Sequence, residues 1–152
     1  MARFTQFGMS ATYGSTSAGT WVIEGGTLSE DPEDQPEFSG DPLFSGSWVR
    51  WGNMVHFAID VDFDNITDFG AGQYYLKLPF VCANNMIFSD GCLHDPTKGN
   101  EYAMLAHTNA GTDILELLSI TSNGQHNPFE YGVPVTLDNA GSFHIAGTYI
   151  AQ

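Results

Sequence analysis

The spacing most suggestive of chemistry in this chain is the run Asp60, Asp62, Asp64, because D-x-D-x-D opens calcium-binding loops. Such a loop also needs glycine at its sixth position and a bidentate glutamate at its twelfth. The sequence has Asn65 and Ala71 there, and Val61 and Phe63 between the aspartates belong to an alternating, strand-like pattern. The three carboxylates therefore read as an acidic row on one face of a strand, solvated or interfacial. Like charges so placed keep a sheet from stacking on its own copies.

The other chemically capable side chains are dispersed. His56, His94, His107, His126 and His144 show neither H-x-H nor H-E-x-x-H spacing, so no local zinc site is expected. Cys82 and Cys92 lie ten positions apart without a C-x-x-C or nucleophile signature; a disulfide is geometrically open, and free thiols are the favoured reading. There is no G-x-S-x-G elbow, Walker loop or dinucleotide fingerprint. No pair of carboxylates is singled out for glycoside hydrolysis. The sequence predicts no catalytic residues, no metal and no cofactor, and a protein that presents surfaces instead of catalysing.

Charge narrows the partners. Only Arg3, Arg50, Lys77 and Lys98 oppose eighteen Asp and Glu, for a formal net charge of −14 over 152 residues. Binding nucleic acid by counterion release needs clustered cations, and these four are scattered, so no direct nucleic-acid role is expected. An anionic membrane surface would be repelled, and no stretch approaches the ~20 apolar residues of a membrane span. The first twenty residues have neither a basic start nor an apolar run of secretory type, so no Sec export is expected.

The elements that position these side chains read as strands. In Asn53 to Phe63, Val55, Phe57, Ile59, Val61 and Phe63 alternate with Met54, His56, Ala58, Asp60 and Asp62, which predicts one face in the core and one toward water or a neighbour. After a turn at Asp68 to Gly72, Gln73 to Leu78 reads as the second strand of a hairpin, ended by Pro79. Further strands are predicted at Trp21 to Leu28, Met86 to Leu93, Glu101 to His107, Ile114 to Thr121 and Ser142 to Ile150. Asp95-Pro96, Ala110-Gly111, Asn123-Gly124 and Ala140-Gly141 break them. The expected fold is all-β, an antiparallel β-sandwich of jelly-roll type over residues 42–152. Residues 1–41 are expected to form an extended N-terminal arm. Its aromatics Phe4, Phe7 and Tyr13 are candidate anchors, and its segment Glu30 to Glu37 is expected as a solvated acidic loop.

The stretch Phe44-Ser45-Gly46-Ser47-Trp48-Val49-Arg50-Trp51-Gly52-Asn53-Met54-Val55-His56-Phe57 resembles a recurring bacteriophage virion domain. That domain opens with G-x-[YW]-x-[RK]-x-G-x-x-V and later closes with L-P-F, here Leu78-Pro79-Phe80. The ending Ile145-Ala146-Gly147-Thr148-Tyr149 is similar to its final I-x-G-x-Y strand. Such domains occur in tail-fibre tips, minor tail proteins and capsid-surface proteins, commonly as trimers. The resemblance implies a non-enzymatic component of the virion exterior, a homotrimer, and a major capsid or other virion protein as partner. One strand histidine near a trimer axis would then be placed to bind a metal or anion.

Two jobs follow from that resemblance. With about forty residues ahead of the domain and no heptads for a shaft, capsid decoration through the N-terminal arm is the preferred expectation. Receptor binding, as a tail fibre or spike gripping a host glycan or protein, is the alternative. Trp48, Trp51, Tyr74, Tyr75 and Phe129 are its candidate ligand or subunit contacts, each with core packing as the competing role.

Overall fold

The structure, a computed structural model, describes residues 16–41, 43–120 and 123–152. The candidate anchors Phe4, Phe7 and Tyr13 lie outside the described residues. Among the described residues every strand pairing is antiparallel, as the alternating and turn-punctuated sequence predicts. Its strands are β1 (Thr16–Trp21), β2 (Gly25–Thr27), β3 (Glu37–Phe38), β4 (Leu43–Trp51), β5 (Met54–Asp62) and β6 (Ile66–Asp68). There follow β7 (Tyr74–Lys77), β8 (Met86–Asp95), β9 (Asn100–Thr108), β10 (Ile114–Ile120), β11 (His126–Pro128) and β12 (Ser142–Ile150).

The main sheet runs β1-β4-β5-β12-β8-β9-β10-β7-β2, with β11 also on β10, and β3 pairs separately with β6. Laid flat, its nine-strand path would set the β1 and β2 edges about 38 Å apart at ~4.8 Å per strand. Yet Trp21 ends β1 and Gly25 begins β2, and four Cα steps reach at most about 14 Å. The sheet must therefore roll. It curls into a half-barrel, and the chain crosses its open side between Trp21 and Gly25, where the Trp21 indole Nε1 donates to Lys77 O at 3.1 Å and Lys77 N donates to Glu24 O at 2.8 Å. Rolling also brings Val61 and Phe63 of one wall against Tyr74, Leu76 and Leu117 of the other around a small apolar cavity of about 40 Å³. The two packed walls of the expected sandwich are thus one continuous sheet.

Two expectations change. The hairpin partner of Asn53 to Phe63 is β4, joined through the two-residue turn Gly52-Asn53, while β7 pairs with β10 and β2. Gly52 has φ +60° and Asn53 a negative φ, which suits a turn with glycine first, matched to strand twist. Adjacency along the chain had suggested Gln73 to Leu78 instead, but the shorter loop closes the nearer hairpin. Residues 16–38 are also not an arm: β1, β2 and β3 pair with β4, β7 and β6. Their small polar residues disguised strands that sit at sheet edges, where little side-chain burial is required.

The acidic segment is solvated as predicted, but it is built. Asp31 caps a short 3-10 helix, Pro32–Asp34, by accepting from Glu33 N at 3.1 Å. The Gln35 amide then pairs with the β2 edge. Its Oε1 accepts from Thr27 N at 3.0 Å, and its Nε2 donates to Thr27 O at 3.3 Å and Ser29 O at 2.9 Å. One side chain does there what a further strand would do.

Candidate functional site

The three sequence motifs that suggested a family converge inside the roll. Trp48 packs edge-on against Phe80, with centroids 5.0 Å apart, and the Arg50 guanidinium lies 4.8 Å above the same ring. From β12, the Tyr149 hydroxyl donates to Phe80 O at 3.0 Å and accepts from Phe80 N at 3.2 Å. Burial holds the Tyr149 phenol well above its ordinary pKa, so it stays a donor at neutral pH. Gly147 is required because a Cβ there would overlap the Phe88 ring. These residues tie the L-P-F turn to the first and last core strands. They build the fold.

The solvent face of the same strands is different. Register places Trp51, Met54 and Ile150 in one row across β4, β5 and β12, and they are 47%, 41% and 41% exposed. Large apolar side chains grouped in this way mark a contact surface. Six residues further along β5, about 20 Å at strand rise, the face turns acidic. Asp60 stands opposite His144, which stands opposite Cys92; Asp62 stands opposite Ser142, which stands opposite His94; and His94 pairs with Glu101. These side chains line an open cleft of about 660 Å³.

Cys92, His144 and Asp60 in a row carry the residue types of a nucleophilic triad. No hydrogen bond joins them among the described residues. Burial, and then the charge of Glu101, push the Cys92 thiol up, keeping it protonated where a nucleophile needs a thiolate. Both cysteines are free. Asp60, Asp62, Glu101, His94 and His144 all face solvent. What the cleft offers is a set of hydrogen-bond acceptors and imidazoles suited to hydroxyl-rich or cationic groups. Among the described residues no group of three or more His, Cys, Asp or Glu is placed to hold a metal ion.

The fold has a solved counterpart. It is similar to part of the Dettilon tailspike protein (gp208), with a TM-score of 0.60 and 14% identity over 90% of this chain. The chain spans 24% of that protein's length, and at this identity the likeness is one of fold. No protein-family model matches the sequence, and no curated protein is similar to it.

Of the five contacts predicted from sequence, Trp51 is on the solvent face and Tyr75 is half-buried. Trp48 packs on Phe80 within the roll. Tyr74 and Phe129 are core residues, 8% and 1% exposed, 5.3 Å apart as rings, with the Tyr74 hydroxyl donating to Phe69 O at 2.7 Å. These two rings take the core-packing role that competed with contact, since a buried ring in a β domain fills volume between walls. Sequence reasoning missed Ile150, His94, Glu101, Ser142 and His144 as neighbours of the Asp60–Asp62 row and of Trp51. Alternation along Ser142 to Ile150 could have put His144 and Ile150 on one face, but only strand order brings that face beside β5.

Proposed function

We propose that this chain is a non-enzymatic, receptor-binding module of a bacteriophage virion, of tailspike type, and that the solvent face of β4, β5, β12 and β8 is its working surface. The observation that carries the reading is the fold likeness to a tailspike protein over nine-tenths of the chain. The chemistry of the face supports it. Exposed Trp51 offers a ring for stacking on the C–H face of a sugar, and Asp60, Asp62, His94 and His144 offer hydrogen bonds to hydroxyls. The roughly 20 Å between the two zones suits an extended glycan better than a single sugar. Solvent-facing carboxylates support binding over hydrolysis, because a glycosidase acid needs a desolvated setting that keeps it protonated.

The test is where the protein sits and what it grips. Antibody labelling of intact virions should mark the tail, and the purified protein should adsorb to host cells and block infection. Labelling distributed over the capsid, with binding to empty capsids and none to cells, would establish capsid decoration instead. Release of soluble sugar from host envelope on prolonged incubation would overturn the non-enzymatic part.

A further inference from the structure

The nine-strand path of the sheet ends in two edges, β1 and β2, and the chain treats them differently. The β2 edge is occupied by the Gln35 amide. At the β1 edge, no backbone partner among the described residues meets the outer side of Thr16–Trp21. Natural edges are commonly blunted with charge, proline or a bulge. Here Thr16, Ser17, Ala18, Gly19 and Thr20 carry none of these, pair with β4 in unbroken register, and are exposed except for half-buried Gly19.

Which backbone groups point outward follows from the β4–β5 turn. A two-residue turn makes Trp51 and Met54 a hydrogen-bonded pair, so Arg50, Trp48 and Gly46 direct their N–H and C=O groups at β1. Their partners there are Ser17, Gly19 and Trp21. Thr16, Ala18 and Thr20 are left with both backbone groups facing the open edge.

We infer that β1 pairs antiparallel with β1 of a second copy of this chain, in a register centred on Ala18. The sequence is self-complementary in that register: Ala18 meets Ala18, and each Thr16 meets the other copy's Thr20. This gives two threonine–threonine cross-strand pairs and about six backbone hydrogen bonds, two from each bonded pair. Charge selects the same edge. A chain of net charge −14 repels its copies almost everywhere, yet β1 has no charged residue, β4 has only Arg50, and β5 has no carboxylate before Asp60. The result is a two-fold dimer with one sheet continuing through both copies, an isologous contact distinct from the trimer that the family resemblance implies.

Native mass and cross-linking test it. The wild-type protein should be a dimer at micromolar concentration. Ala18→Pro removes an outward donor without touching the β1–β4 ladder, and Ala18→Lys adds charge at the dyad; each should give a monomer with wild-type circular dichroism and melting. In a Cys92→Ser background, Ala18→Cys should form a disulfide dimer, because Cα atoms of a bonded pair lie about 5.5 Å apart, within disulfide range. Thr20→Cys, facing Thr16, should cross-link about tenfold less. A wild-type monomer, a trimer indifferent to both Ala18 variants, or cross-linking through position 20 as efficient as through position 18 would each overturn the inference.

Discussion

Along β5, Val55, Phe57, Ile59 and Val61 are at most 3% exposed, while Met54, His56, Asp60 and Asp62 on the opposite face stand in solvent. The same division runs through β12, where Phe143, Ile145 and Tyr149 point inward and His144, Thr148 and Ile150 outward. The inner face is committed to closing the roll around Phe80 and Phe57. Among the described residues, the outer face has no internal partner beyond isolated contacts such as His56 Nδ1 to Thr148 Oγ1 at 3.0 Å. The fixed positions of the family-like signature are therefore architectural, and the residues free to meet a partner lie at its variable positions or outside it.

Substitutions should separate the two faces by size of effect. Tyr149→Ala removes a fully buried ring packed on Phe57 and Phe88, and should cost about 3–5 kcal/mol in denaturant unfolding. Gly147→Ala should cost about 1–3 kcal/mol, because the Phe88 ring must shift to admit the methyl. Gln35→Ala should cost about 1–2 kcal/mol by leaving Thr27 N and O unpaired at the β2 edge. On the outer face, Trp51→Ala should change stability by no more than about 0.5 kcal/mol.

The inner face also responds to alkaline pH. The folded-state phenol of Tyr149 titrates above its ordinary value of 10.0, chiefly through burial, so its contribution is complete below that pH. As pH rises past 10.0 the unfolded chain ionises first, and stability falls. Thermal melts should show this loss on the alkaline side, and Tyr149→Phe should make the slope shallower.

The sequence made the fold class and both faces of β5 legible, because period-two alternation survives wherever one face is buried. It misassigned the hairpin and β1 for related reasons. Strand order is set by tertiary pairing across the whole sheet, and an edge strand of Thr, Ser, Ala and Gly carries no apolar alternation. The outer-face site was legible only in part. Trp51 and the Asp60–Asp62 row were singled out, but their neighbours come from β8, β9 and β12, more than thirty residues away in the chain. Cross-strand register is a product of tertiary folding and leaves no local spacing to read.

The most direct test of the account is adsorption of purified protein to host bacteria by the wild type and by Trp51→Ala combined with Asp60→Asn and Asp62→Asn. Equal melting temperatures and at least about tenfold weaker adsorption by the variant are expected, a difference of about 1.4 kcal/mol in binding. Undiminished adsorption by that well-folded variant would contradict it.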